Sequence, residues 1–187
     1  PFDRYMRGDT TQLSLSAQNG FNQFMGKARC GTCHFLPLFN GAMPPSFVEM
    51  ETEIIGVPQT PDTSGAAIDP DVGRYAVHQI ESERFAFKTP TLRNIELTAP
   101  YMHNGVFKTL EEVIDFYNRG GGQGIGISLP GQTLPSEPLH LSENEKQDLI
   151  AFMESLTDTA GLAARPARLP AFPDTPHLNA RKIGGRY

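Results

Sequence analysis

Cys30-Gly31-Thr32-Cys33-His34 constrains this chain more than any other feature, because both of its cysteines fall within those five residues. With no further thiol there is no disulfide framework to infer, so the pair must be read as chemistry or as a ligand site. Two thiols a helical turn apart can reach the two vinyl groups of a haem while the next residue presents its imidazole to the iron. The competing readings are a two-cysteine redox pair, which needs a βαβ setting, and half of a zinc site, which needs a second ligand pair. Neither setting is visible. The motif therefore predicts one covalent c-type haem, held by Cys30 and Cys33 and ligated by His34. Haem is joined to such motifs outside the cytoplasm, so the protein is expected to be periplasmic or otherwise exported.

The rest of the sequence bounds what surrounds that haem. At 187 residues the chain can bury one sizeable core, and 18 glycines with 16 prolines predict that much of it is loop. A net charge of -5 leaves no basic stripe to neutralise phosphates, which argues against a nucleic-acid partner. No apolar run approaches the roughly 20 residues of a membrane span, and no signal segment opens the chain. Pro1 to Asp9 reads as a loop entering a helix, so a further segment is expected upstream.

Ala17, Gly20, Phe21, Phe24, Met25 and Ala28 recur at helical spacing, with Ser16 available as an N-cap. This helix would deliver Cys30 to the haem edge. Thr109 and Glu112 form a capping box for a second helix over about Leu110 to Asn118, whose Leu110, Val113, Ile114 and Tyr117 share one face. Ser142 and Glu145 open a third, with Leu149, Ile150, Phe152, Met153 and Leu156 as an apolar stripe expected to pack across the first. Between them, Leu36 to Phe85 is irregular and suited to wrapping the haem or meeting a partner domain. Gly120 to Gly126 lacks the setting of a phosphate loop and reads as a close backbone approach to the haem.

The sixth iron ligand decides the redox chemistry, and spacing alone does not choose it. Met43, Met50, Met102 and His103 are candidates, whereas His78, His140 and His177 are isolated. Tyr117 points inward, where an ordinary core tyrosine would find a hydrogen bond.

The stretch from Phe87 to Gly121, which includes Thr98-Ala-Pro-Tyr-Met-His-Asn-Gly105, together with the haem motif, closely resembles the C-terminal haem domain of the bacterial di-haem cytochrome c peroxidase and MauG superfamily. The similarity runs from Pro1-Phe-Asp-Arg-Tyr to the closing Ile183-Gly-Gly-Arg-Tyr187. In that family the distal ligand of the electron-transfer haem lies fourteen residues beyond the histidine that is His103 here, which is Tyr117. Ordinary peroxidases carry methionine there and MauG-like members tyrosine. The resemblance thus implies a His34/Tyr117 haem of low potential, and it leaves Met102 to packing. It also implies a calcium ion between two haems, bound through the backbone carbonyls of Thr98 and Pro100, a donor type that suits a hard cation. Arg93 is equally balanced between a haem propionate and a structural ion pair.

Two departures qualify the resemblance. There is no second Cys-x-x-Cys-His, so the family's peroxide-binding haem is not in this chain and no catalytic residue is assigned within it. There is also no tryptophan, and Ala28 stands where MauG places the one that relays electrons from its substrate.

The expected fold is mainly α: a cytochrome c-like haem domain with long irregular loops, a helical core over about 10–156 and an extended Pro-rich tail over 157–187. The expected function is the electron-transfer half of a peroxide-using di-haem oxidoreductase, a peroxidase-type enzyme. Its partners would be an N-terminal haem domain or second haem-bearing chain, and a redox partner protein or electron donor. The alternatives are a free-standing mono-haem electron carrier, against which tyrosine ligation argues, and a haem-bearing sensor or interaction module.

Overall fold

The computed structural model describes residues 1–160, 171 and 173–180. The chain divides into two compact units, Pro1–Thr157 and Asp158–Tyr187. In the second, the described residues form one short 3-10 turn over Pro176–Ala180 that includes His177. Most of the expected extended tail, and the closing residues 181–187, lie outside the described residues.

The first unit is built on helices, with little strand among the described residues. The helices are α1 (Phe2–Met6), α2 (Leu15–Met25), α3 (Tyr75–His78), α4 (Leu110–Asn118), α5 (Gly121–Gly124) and α6 (Glu143–Glu154). The strands are β1 (Thr52–Glu53) and β2 (Phe87–Lys88), an antiparallel ribbon that pairs Thr52 with Lys88 and Glu53 with Phe87. Among the described residues no helix is long and apolar enough to cross a membrane.

Local sequence sets the ends of the long helices. Thr109 and Ser142 each accept from the backbone N–H three residues on, and Glu112 and Glu145 reach back to the cap N–H, so both capping boxes close. In α2 the cap is Ser14 rather than Ser16: its hydroxyl accepts from Ala17 N–H at 3.1 Å. Ser16 lies two residues past the cap, already inside the first turn, and its hydroxyl bonds the Asp148 carboxylate of α6 instead. Within Pro1–Asp9, read as a loop entering a helix, the helix comes first: Phe2–Met6 forms α1, anchored by Phe2 at 3% exposure in the core.

That core is an aromatic cluster between α2 and α6. Phe152 lies 5.1 Å from Phe24, 5.3 Å from Phe21, 5.6 Å from Phe2 and 5.7 Å from Phe39, in tilted or edge-on pairs. Such pairs contribute about 0.5–1.5 kcal/mol each beyond the area they bury. Phe24 and Phe39 are fully buried, and Phe24 also packs 6.4 Å from the His34 ring, so the core ends against the haem motif. Met25, predicted on the same face of α2, is instead about half exposed.

The α2–α6 crossing is close because Gly20 faces it. A Cβ there would collide with the Asp148 carbonyl and lie 2.8 Å from Phe152 Cβ. Gly20→Ala would gain about 1 kcal/mol of helix propensity and lose about 3 kcal/mol to overpacking. The expected net is about 2 kcal/mol lower stability, read as a lower urea midpoint at unchanged m. A midpoint at or above wild type would show that the two helices separate freely.

Candidate haem centre

The motif follows α2 directly. Cys30 opens a 3-10 turn over Cys30–Thr32, with Arg29 before it in the left-handed region at φ 58°. The chain bonds back through His34 N–H to the Cys30 carbonyl at 3.0 Å, which keeps both thiols and the imidazole on one short turn. Both cysteines are free thiols and half-buried. Burial pushes the Cys30 thiol up to about 12. Burial also pushes the Cys33 thiol up to about 11, with repulsion from the Glu53 carboxylate next in order. A redox-active pair needs an accessible thiolate, so this environment opposes the disulfide-exchange reading.

His34 is held from behind. Its Nδ1 lies 3.1 Å from the Phe39 carbonyl, which assigns the proton to Nδ1 and leaves the lone pair on Nε2. Burial lowers its pKa, which favours the neutral, ligating form. Phe39 sits at φ 51° with its ring in the aromatic core, so that carbonyl is fixed by packing.

Tyr117 comes from the last turn of α4, half-buried, with its ring edge-on to Phe116 at 5.6 Å. Burial raises its pKa, and next in order is charge at Cys30 and then Cys33, so the phenol faces the motif. Its hydroxyl has no hydrogen-bond partner among the described residues. A tyrosine in an ordinary core would have one. The run after α4 fixes this end of the helix: Gly122 N–H donates to the Ile55 carbonyl at 2.8 Å, and a Cβ on Gly56 would lie 2.8 Å from Gly122 Cα. The glycine run thus makes its close approach to the chain's own backbone.

Sequence reasoning did not anticipate the β1–β2 ribbon beside the motif. Glu51 N–H donates to the Gly41 carbonyl at 2.8 Å and Thr89 N–H to the Glu51 carbonyl at 3.3 Å, which extends the pairing toward the loop after His34. Cys33 Sγ and a carboxylate oxygen from each of Glu51 and Glu53 lie within 4.8 Å of one another. Residues two apart share a face of a strand, but β1 is two residues long and its partner lies some 35 residues on, so the sequence carried no sign of this pairing.

The remaining candidates sit apart. Arg93 donates to both Asp3 carboxylate oxygens at 2.8 and 2.9 Å and to the Pro37 carbonyl through Nε and Nη2. This is the structural ion pair, one of its two sequence readings. Met102 packs against the core, and His103 stacks on Phe87 at 3.7 Å with Nε2 3.3 Å from Asp69. Thr98 and Pro100 are exposed, and neither carbonyl accepts a hydrogen bond among the described residues. Met43 and Met50 are half-buried in the loop after the motif, and His78, His140 and His177 are exposed.

The donor set fits a haem. It offers two unpaired thiols, a neutral imidazole whose lone pair is on Nε2 and a phenol oxygen without a hydrogen-bond partner among the described residues, all packed at an aromatic core. No protein-family model matches the chain. Cytochrome-c peroxidase IdrP2 of Pseudomonas sp. (strain SCT) is 40% identical over 177 residues, covering 84% of this chain and 44% of that protein. Methylamine utilization protein MauG of Methylorubrum extorquens is 36% identical over 156 residues, covering 83% of this chain and 38% of that protein. Among solved structures, a MauG-like protein associated with microbial copper homeostasis matches with a TM-score of 0.70 at 31% identity, covering 87% of this chain and 53% of that one. The chain belongs to the di-haem cytochrome c peroxidase/MauG superfamily. It spans about half the length of the curated relatives it matches. Membership in this superfamily of haem proteins accounts for a Cys-x-x-Cys-His turn whose thiols are neither paired nor activated.

Proposed function

We propose that this chain is the electron-transfer haem domain of an exported, periplasmic di-haem oxidoreductase of the MauG-like branch that uses hydrogen peroxide. The peroxide-reacting haem would lie on a further segment of the polypeptide or on another chain. The observation that carries this reading is Tyr117, a half-buried phenol without a hydrogen-bond partner among the described residues, turned toward both motif cysteines.

When bound, the haem supplies a one-electron couple. The chain's own residues do the rest: Cys30 and Cys33 tether, His34 offers Nε2 while Phe39 holds its other nitrogen, and Phe24 keeps water from behind the imidazole. Tyr117 would offer an anionic oxygen as the second protein ligand, a donor that favours the ferric state. An iron held by both His34 and Tyr117 would have no position for peroxide, which is why the reading assigns peroxide cleavage to the other haem. Thr98 and Pro100 would hold a calcium ion through their unengaged carbonyls. The partners are the second haem-bearing domain and an electron donor or redox partner protein.

The native complex should contain two haems per copy of this chain by haem stoichiometry against intact mass, and it should consume peroxide. One haem per complex with no peroxide consumption would overturn the reading in favour of a simple electron carrier.

A further inference from the structure

The carboxylates of Glu51 and Glu53 sit where nothing in the ligation scheme requires them. They stand two apart on one ribbon face, each with an oxygen within 4.8 Å of Cys33 Sγ. If that sulfur is the haem tether, the porphyrin periphery begins one bond away from it. Glu53 also acts electrostatically on His34 and on Tyr117. Glu53 therefore lies close enough to both proposed iron ligands for one charge to act on each. Beside this pair, Thr89 is 5% exposed, and its hydroxyl and Glu51 Oε2 are both buried without a partner. The two side chains converge over one glycine, since a Cβ on Gly41 would lie 2.9 Å from Thr89 Cβ and 3.3 Å from Glu51 Cβ. Buried polar atoms without partners are rare in native structures, and here one belongs to Glu51 itself, beside Cys33.

We infer that Glu53, with Glu51 beside it, is a potential-setting residue: a fixed negative charge at the Cys33 edge of the haem that holds the couple on its oxidised side. This rests on the haem being held as proposed above. Ferric haem carries one more positive charge than ferrous, so a nearby carboxylate stabilises the oxidised form more. In a partly buried site that attraction is screened less than at the surface. The two glutamates therefore act with Tyr117, and they do so without touching the iron.

The test is a spectroelectrochemical titration of the haem-loaded protein and its Glu53→Gln variant. Neutralising Glu53 should raise the reduced-to-oxidised ratio about tenfold at fixed applied potential, a shift of about 59 mV for a one-electron couple. The ferric absorption spectrum should stay that of wild type, because no ligand has changed. Glu53→Asp should return the midpoint toward wild type, and Glu143→Gln, on an exposed α6 side chain, should leave it in place. Glu51→Gln should move it in the same direction as Glu53→Gln, and it carries the test if the Glu53 variant loads haem poorly. A loaded variant with an unmoved or lowered midpoint overturns the inference while leaving the haem reading intact. Failure of the haem reading shows separately, as a wild-type protein without covalent haem.

Discussion

Replacing Cys30 and Cys33 together by serine should abolish covalent haem, so that the intact mass falls by one haem relative to wild type. The chain must be exported in a host that attaches haem to such motifs, and the readout is mass spectrometry under denaturing conditions. The effect is all-or-none because each sulfur can form one thioether and the sequence holds no other thiol. Single variants should keep a haem on one bond. The same geometry explains why the thiols do not pair in its place: both are half-buried, and burial holds both well on the protonated side at neutral pH. Covalent haem in the double serine variant, or its absence from the wild type matured in the same host, would overturn the assignment of this turn.

The folding consequence follows from where the motif sits. Phe24 and Phe39 are fully buried on the core side and abut or hold His34, so the aromatic cluster and the haem would share a wall. The interior residues that orient the imidazole are thus the same ones that join α2 to α6. Such shared packing places the iron ligand on rigid elements, which a functional site needs.

What could be read from the sequence divides by range of interaction. Both capping boxes and the inward face of α4 were legible, because each depends on residues three or four apart. The haem turn was legible for the same reason. Phe2 as a core anchor was not, since its helix is short and its burial depends on Phe39 and Phe152. Arg93 could not be decided, because its partner Asp3 is 90 residues away and a propionate offers the same chemistry. Glu53 was invisible as a site residue for a similar reason: the ribbon that aims it at Cys33 is two residues long, below the length at which alternation becomes a signal. The irregular segment from Leu36 to Phe85 is mostly loop, as expected, but its composition carried no information about which carboxylates it would bring beside Cys33.

Tyr117→Phe should open or replace the sixth position of the iron and raise the midpoint potential, the largest spectroscopic effect expected of any single substitution here. The variant isolates ligation from packing. Phenylalanine keeps the ring against Phe116, and the hydroxyl it removes has no hydrogen-bond partner among the described residues, so the fold should lose less than about 1 kcal/mol. A structural tyrosine would behave oppositely, with stability falling and the haem spectrum unmoved. The ferric wild-type protein should lack the weak long-wavelength band of sulfur–iron ligation, and the variant should change spectrum at once on adding a small ligand such as imidazole. Loss of an anionic oxygen donor removes the strongest stabilisation of ferric iron at the site, so the shift should exceed that of Glu53→Gln. The order of the two shifts is itself informative, because a charge at the edge and a ligand on the iron act on the same couple from different distances. If Tyr117→Phe leaves the ferric spectrum unchanged, the distal ligand lies elsewhere, and Met102, in the loop after the cis Ala99–Pro100 peptide, is the next side chain to replace.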